Sequence, residues 1–483
     1  MQNAARRLFQ KGQRKSETMI NTKNARTRAG ISCGLITAAA MIPSARANTV
    51  ATNSVAAPAL LPLWQKPAWL TDLSLAAREG YDDNILLVSG HGLPRQDSWI
   101  TTLSPKVGFN FAPLPGPDSA FKALTLVYAP DINIYHDAPQ ESYDAQRFND
   151  FIKMAEDNFS FSLTNSFLYN NGSRTAPTYA LNQTSNTNDR FRNFYAFAAP
   201  RERRDQIQDR GTVAMQYDSE KMFVRPTASL LYYNLNTILH NAGVAPFIGY
   251  QNWPDRYDVN GGADWGYRVT SSLAVTAGYR YGYQSQAQFP QNISPGDRHF
   301  SSNNYQRALF GLEGNLFSWL SIKAASGPDF RDYNSMAAVS HRYSIFPFAE
   351  GTVTATLTAN QTLTFYTKEW QWVSSAGLVP YYDSTYWLSY HWSATKQLGF
   401  DLGGKILEAD FTSGNDYIGT APSKRNDIEY CVVAGVNYAF TPNLSAGVTY
   451  NFNLGRNLLS GAPEASFRNF EDDLVSLGVQ YKF

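Results

Sequence analysis

Charged residues, cysteines and long apolar segments are all scarce in this sequence of 483 residues. Charged residues make up 17% of the chain, whereas a soluble globular domain carries about 25%. Two cysteines, Cys33 and Cys431, are too few for a disulfide framework. A membrane-spanning helix needs about 20 consecutive apolar residues, and no such segment occurs. These shortages argue against a disulfide-rich domain and against a helical membrane protein.

Aromatic residues, in contrast, are abundant. They account for 14% of the chain, with 29 tyrosines and 29 phenylalanines, although the mean hydropathy is only −0.36. A chain that is polar on average, poor in charge and rich in amphipathic rings fits a transmembrane β-barrel. In such a barrel one face of each strand meets lipid and the other meets water.

The first 47 residues have the pattern of a secretory signal peptide. Basic residues precede an apolar stretch from Ala29 to Pro43, and Ala45-Arg46-Ala47 offers a small-x-small cleavage site. We therefore predict a signal peptide over 1–47, and a short periplasmic segment over 48–67. The basic stretch that precedes the apolar run is long for a signal peptide, so Met19 is an alternative start.

The charge of the chain changes if this segment is removed. Residues 1–47 hold nine basic residues and one acid, so the formal charge falls from +1 to −7. An acidic mature protein argues against a nucleic-acid partner. The alternative is a disordered basic arm that binds nucleic acid, but the apolar run and cleavage site favour the signal peptide.

From Ala68 onward the apolar residues recur with a period of two, which indicates strands. The clearest row lies at the end of the chain, where one apolar set alternates with a polar or small set: Val475, Leu477, Val479, Tyr481 and Phe483 against Ser476, Gly478, Gln480 and Lys482. Aromatic residues gather at the ends of such rows, as girdles at the two membrane boundaries would. A sandwich core would also alternate, so the period alone does not separate the two folds.

The connections between the rows alternate between short and long, as the periplasmic turns and external loops of outer-membrane barrels do. This order favours a closed antiparallel up-and-down transmembrane β-barrel over 68–483, because sandwiches contain Greek-key crossovers. About 18 strands are predicted, beginning near Ala68, Ser98, Ala120, Arg147, Asn158, Ile207, Met222, Arg256, Leu273, Asn303, Leu320, Ser344, Leu363, Thr385, Leu398, Asp427, Leu444 and Asn469.

Two short motifs carry a resemblance to known proteins. The row that ends in Tyr481 and Phe483 resembles the terminal signature that the bacterial barrel-assembly machinery recognises. The sequence Gly80-Tyr81-Asp82-Asp83-Asn84, followed by Leu103-Ser104-Pro105, is similar to the opening of the β-barrel porin families. The resemblance implies a bacterial outer-membrane protein in contact with lipid and lipopolysaccharide, and a link with porin function or with exopolysaccharide loci.

Charged residues on the polar phase of the strands are candidates for lining a pore, where they would bias which solutes pass. They are Arg280, Lys405, Asp401, Asp427, Glu429 and Lys482. The alternative is that these groups pair with one another across neighbouring strands. The long link from Asn170 to Gln206 supplies candidates for a constriction or an external loop, namely Arg201, Arg203, Arg204 and Asp205.

Two further groups have competing interpretations. Trp370, Trp372, Trp387 and Trp392 would stack on sugars if they faced a lumen, but the more common place for such rings is a lipid-facing girdle. Asp82, Asp83 and Asn84 could ligate calcium, but a turn closed by Asx side chains is favoured. We therefore predict no metal site and no cofactor.

No catalytic motif was found: the chain has no Gly-x-Ser-x-Gly elbow, no His-Glu-x-x-His and no phosphate-binding glycine loop. The preferred function is passive or weakly selective diffusion of small hydrophilic solutes, with a homo-oligomer possible. Export of exopolysaccharide, or a role as a component of a surface structure, is one alternative. A barrel-borne hydrolase is another, and a histidine facing a nearby serine or aspartate at the outer rim would favour it.

Overall fold

The computed structural model of the chain describes residues 66–483, apart from 88–94, 113, 115, 117–118, 174–203, 235–254, 287–300, 335–340, 374–379, 412–424 and 460–468. The predicted signal peptide, 1–47, and most of the segment 48–67 therefore lie outside the described residues. In the described part, no helix has the length and hydropathy needed to cross a membrane.

Strands make up nearly all of the described structure, because the side chains alternate with a period of two over most of its length. They are β1 (Leu70–Asp82), β2 (Ser98–Asn110), β3 (Phe121–Tyr128), β4 (Asp131–Tyr135), β5 (Tyr143–Glu156), β6 (Phe159–Ser173), β7 (Arg204–Asp218), β8 (Met222–Asn234), β9 (Arg256–Arg268), β10 (Leu273–Gln286), β11 (Asn303–Phe317), β12 (Leu320–Tyr333), β13 (Tyr343–Thr358), β14 (Gln361–Trp372), β15 (Tyr381–Ser393), β16 (Leu398–Phe411), β17 (Arg425–Ala439), β18 (Leu444–Leu459) and β19 (Phe470–Lys482). A single-turn 3-10 helix, Pro139–Glu141, precedes β5.

All of these strands belong to one antiparallel sheet that closes on itself. Each strand from β5 to β19 pairs with its sequence neighbours, and β19 then pairs with β1. The closing ladder runs from Ser74, opposite Lys482, to Asp82, opposite Leu474. Because the first and last strands are joined, neither is a free edge. The predicted barrel is confirmed, and the alternative of two stacked sheets is wrong.

The ring contains eighteen strand positions, because β3 and β4 are two parts of one strand. Both pair with β2 on one side and with β5 on the other. Their registers continue without a shift, since Val107 lies opposite Tyr128 and Leu103 opposite Ile132. Pro130 lies in the gap between them and has no N–H to donate to a ladder. The predicted count of eighteen is confirmed, although the interruption was not predicted.

Two rims with different connections follow from this topology. At one end, called the short-turn rim, seven of the turns contain two to four residues, and the link 111–120 is longer. At the other end, the long-loop rim, the connections include 174–203, 235–255, 287–302, 412–424 and 460–469. Most predicted strand starts lie within two residues of the observed ones; β5, β7 and β15 begin three or four residues earlier than predicted.

The apolar row at the end of the chain faces outward. Leu477 is 58% exposed and Val479 is 48% exposed, while Ser476 and Gly478, which precede them on the alternate phase, are less accessible. The other strands repeat this pattern, with large apolar side chains such as Phe310 (68%) and Trp265 (50%) on the outer face. The ring is therefore apolar outside, and its polar and small residues point into the interior.

A disulfide can test the closure of the ring. Ala77 lies opposite Val479 in the β1–β19 ladder, at a separation that a disulfide can bridge. In a chain with Cys33 and Cys431 replaced by serine, Ala77→Cys with Val479→Cys should form a disulfide, detected by mass spectrometry of the unreduced digest. The control pair, Ala77→Cys with Val475→Cys, is offset by about 13 Å along the strand and should stay reduced. Absence of the first disulfide in folded protein would contradict ring closure.

Candidate functional site

The interior of the ring is lined by charged groups that pair with charged groups of other strands. Arg225 on β8 contacts Asp264 on β9 at 3.3 Å and Glu313 on β11 at 2.7 Å. Arg147 pairs with Asp131 in the same way, across the junction of β4 and β5. Pairing offsets the cost of placing charge in a partly buried wall. It also leaves an interior surface that remains hydrophilic.

The six charged residues proposed to line a pore all lie on the inward phase of their strands. Arg280 is bonded to Asp264 at 2.7 Å, and Asp401 lies 2.8 Å from His391. Lys405, Asp427 and Glu429 are buried in the half of the ring next to the long-loop rim. Lys482 is exposed at the short-turn rim. Their influence on solute passage stays a prediction.

The loop candidates are only partly described. Arg201 and Arg203 lie outside the described residues. Arg204 begins β7, and Asp205 follows it on the same strand. The proposal that this group forms a constriction or an external loop therefore stays a prediction.

The packing of the interior differs between the two halves of the ring. Next to the long-loop rim, inward side chains on many strands are buried: Asp82, Ser98, Gln206, Tyr233, Asp258, Gln284, Tyr305, Arg331, Trp370, Leu407, Glu429 and Asp472. Next to the short-turn rim, inward residues such as Thr227, Glu313, Thr354 and Asn437 are half-buried. A cavity of about 130 Å³ lies in this half, between β17–β19 on one side and β1, β2 and residues 129–130 on the other, and its lining includes Arg78, Lys106 and Ser104. The interior is thus open at one end and densely filled towards the other.

Part of this filling comes from the end of β14, which separates from β13 while it stays paired with β15. The β13–β14 ladder stops at Ala349 opposite Glu369, so Tyr343–Phe348 of β13 pair with β12 alone. Pro347 lies just beyond this point and has no N–H to continue the ladder. Its carbonyl oxygen instead accepts a hydrogen bond from the Tyr382 hydroxyl at 3.1 Å.

Beyond this point the chain of β14 enters the interior. The Gln371 carbonyl accepts hydrogen bonds from Arg331 on β12 at 3.0 Å and from Gln284 on β10 at 3.2 Å. The Val373 carbonyl accepts one from Arg256 on β9 at 2.8 Å. Trp370–Trp372 stay paired with Tyr381–Asp383 of β15. Since β9 is five places from β14 in the ring, residues 370–373 must nevertheless lie inward of β12 and β13. We call them the inward segment.

Aromatic rings hold the inward segment in place. Trp370 and Trp372 stack with their ring centroids 4.5 Å apart, and each is 1% exposed. The Arg256 guanidinium lies over the Trp372 ring at 5.1 Å, a favourable cation–π arrangement. The surrounding buried cluster contains Leu231, Tyr233, Leu309, Phe348, Trp370, Trp372, Val373, Tyr381, Ala409 and Phe411.

The girdle interpretation of the tryptophans is therefore wrong for three of the four. Trp370 and Trp372 are buried in the interior, and Trp387 has the inward phase of β15. Trp392 alone points outward, where it stacks on Phe400 at 5.2 Å. The sequence contained a signal for this: Lys368 shares the phase of Trp370 and Trp372, and its ammonium lies over the Trp370 ring at 4.7 Å.

One buried carboxylate, that of Asp329, pairs with two arginines next to the inward segment. Asp329 on β12 is fully buried and contacts Arg307 at 2.9 Å and Arg331 at 2.6 Å. Arg331 also donates to the Asn303 side chain at 2.7 Å. Both guanidinium groups lie over the Tyr305 ring, at 4.2 and 4.5 Å. We call these five residues the Asp329 group, and their contacts keep Arg331 directed at the Gln371 carbonyl.

The acidic turn after β1 has the geometry of an Asx turn. The Asn84 backbone N–H donates to the Asp82 side chain at 2.9 Å, as the favoured interpretation requires. Asp82, Asp83 and Asp472 lie close enough for one carboxylate oxygen of each to fall within 4.8 Å of the others. The hydrogen bond supports the Asx turn, and the absence of a metal site stays a prediction.

The buried carboxylate can be tested against an exposed one on the same strand. Asp329→Asn removes the charge between Arg307 and Arg331 and should cost about 3–5 kcal/mol of unfolding free energy, as breaking a buried pair does. Urea unfolding of the refolded protein in one detergent measures it. Asp332→Asn, which disturbs the exposed pair with Arg342, should leave the midpoint unchanged. Equal effects of both changes would contradict the role given to Asp329.

Comparison with known proteins gives likeness of fold only. No protein-family model matches the chain, and no curated protein sequence matches it. Among solved structures, it is similar to the outer membrane protein opdK from Pseudomonas aeruginosa, at 10% identity over 85% of this chain and 99% of that one, with a TM-score of 0.39. It is also similar to the FrpB iron transporter from Neisseria meningitidis, at 10% identity over 85% and 82% of the two chains, with a TM-score of 0.39.

Proposed function

We propose that the protein is an outer-membrane channel through which small hydrophilic solutes diffuse. The observation that supports this proposal is the closed eighteen-strand ring, whose outer face is apolar and whose inner face carries paired charges and small polar residues. A ring of 16–18 strands is wide enough to enclose an aqueous passage.

The outer face supports residence in a lipid bilayer. Its exposed side chains include Leu75, Val275, Leu402, Val448 and Leu477, one from each of five strands. A soluble protein rarely exposes apolar surface on this scale. In hydrocarbon the backbone amides must be satisfied within the protein, and a closed antiparallel ring satisfies them.

The inner face supports passage of hydrophilic molecules and also limits it. The half next to the short-turn rim is lined by half-buried polar and charged groups, including Arg78 and Lys106 around the cavity. Towards the long-loop rim the inward segment and the Asp329 group fill the space on the side of β8–β16. The passage is therefore expected to be narrow, with its bottleneck beside the inward segment.

Planar bilayers test the channel directly. Refolded protein should produce discrete conductance steps in potassium chloride, because single barrels insert one at a time. Heat-denatured protein at the same concentration is the control and should produce none. Folded, inserted protein that leaves the bilayer sealed would overturn the proposal.

The position of the bottleneck can be tested separately, by changing a residue that holds the inward segment. Arg256→Ala removes the hydrogen bond to Val373 and the cation above Trp372, which should loosen the inward segment and raise the single-channel conductance. The control is Arg268→Ala, an inward arginine of the same strand near the short-turn rim, paired with Asp218. This control should leave the conductance close to that of the unaltered protein. An unchanged conductance in the Arg256 variant would place the bottleneck elsewhere.

A further inference from the structure

We infer that His391, Ser393 and Asp401 form a hydrolytic site that cleaves acyl esters of small hydrophilic molecules. The Asp401 carboxylate oxygen lies 2.8 Å from Nδ1 of His391, and the Ser393 hydroxyl oxygen lies 3.0 Å from Nε2 of the same ring. The imidazole thus stands between a carboxylate and a hydroxyl, with each nitrogen facing one of them. This is the relation in which a histidine activates a serine nucleophile.

The strand geometry explains why these three side chains meet. His391 and Ser393 are two residues apart on β15, so both point inward. Asp401 lies directly opposite His391 in the β15–β16 ladder. The residue opposite Ser393 is Gly399, and a Cβ added there would meet no atom nearer than 3.9 Å. No side chain of β16 therefore stands opposite Ser393, on the side from which a reacting group would approach its hydroxyl.

The position of the site limits its substrate. The His391 side chain is 47% exposed and that of Asp401 is 20% exposed, both on the inner face near the short-turn rim. On the opposite, outer face of the same wall, Trp392 and Phe400 stack against each other, so the backbone of β15 and β16 lies between the site and the apolar surface. A lipid tail outside the ring does not reach Ser393, whereas a water-soluble ester entering by the short-turn rim does.

The chemistry is complete without a cofactor. The Ser393 oxygen attacks the ester carbonyl while Nε2 of His391 takes the hydroxyl proton, and Asp401 stabilises the imidazolium through Nδ1. The tetrahedral intermediate expels the alcohol, which receives that proton, and leaves an acyl group on Ser393. Water then attacks the acyl-serine, again with His391 accepting and returning a proton, and releases a carboxylic acid and free Ser393.

The rate should be low. The Ser393 backbone N–H, which could otherwise stabilise the oxyanion, donates to the Asn360 carbonyl at 2.9 Å. Loss of one oxyanion donor costs about 100- to 1000-fold in rate. Covalent trapping of the serine is therefore a more sensitive measurement than turnover.

The experiment combines both measurements on the refolded full barrel. Folded protein should hydrolyse p-nitrophenyl acetate above background and react with a fluorophosphonate probe at Ser393, located by mass spectrometry of the digest. Ser393→Ala should remove the labelled peptide and the hydrolysis. Asp401→Asn should slow both by about 100-fold, at the low end of the contribution of acid–base assistance. Ser389→Ala is the matched control, since Ser389 also points inward on β15 and should have no effect.

Folding of each variant is checked by the heat-dependent shift in electrophoretic mobility that closed barrels show. Hydrolysis that survives in folded Ser393→Ala, or a probe that labels other serines and not Ser393, would overturn the inference. The result is independent of conductance. A barrel that conducts but is not labelled at Ser393 supports the channel proposal and contradicts the hydrolytic site. A barrel that is labelled at Ser393 but does not conduct supports the hydrolytic site and contradicts the channel proposal.

Discussion

Closure of the sheet through the β1–β19 ladder is the constraint on which the rest of the structure depends. An open sheet of eighteen strands would leave two rows of unpaired amides, and in hydrocarbon each such group costs several kcal/mol. Residues 74–82 remove both rows by pairing with residues 474–482. Once the wall is closed, a strand side chain faces either the outside or the interior of the ring, and successive residues alternate between the two. Charge that cannot face lipid must point inward and find a partner there, as Arg225 does between Asp264 and Glu313.

Most of the fold was accessible from the sequence because barrel strands depend on local alternation. The row from Val475 to Phe483 identified its outward face correctly, and the alternation of short and long connections gave the number of strands. Neither pattern predicts how deeply an inward side chain is buried, or which residues lie opposite each other on neighbouring strands. The burial of Trp370 and Trp372 depends on contacts with Arg256 and with strands up to six places away in the ring. The approach of His391 to Asp401 depends on the register of β15 against β16, which the hydrophobic pattern alone does not specify.

The inward segment and the Asp329 group show how a wall of hydrogen-bonded strands can produce a narrow interior without a separate plug domain in its described part. Beyond Ala349 and Glu369 the end of β14 separates from β13 and stays paired with β15, and these residues bring two large rings inside. Arg256 and Arg331 then satisfy carbonyl oxygens of this end that have no partner on β13. Local loss of sheet structure is thus compensated by side chains from other strands, and buried carbonyl groups keep their partners.

The uninterrupted register across Pro130 decides whether the number of strands in the ring is even or odd. Counting each hydrogen-bonded piece would give nineteen strands, and an odd number of traversals would put the two ends of the ring on opposite sides. Because β3 and β4 occupy one strand position in the ring, the chain crosses the wall eighteen times. The end of β19 therefore lies beside the start of β1, where the Phe483 backbone N–H donates to the Leu73 carbonyl at 2.8 Å. A proline within a strand position, such as Pro130, thus removes hydrogen bonds locally without reversing the direction of any later strand.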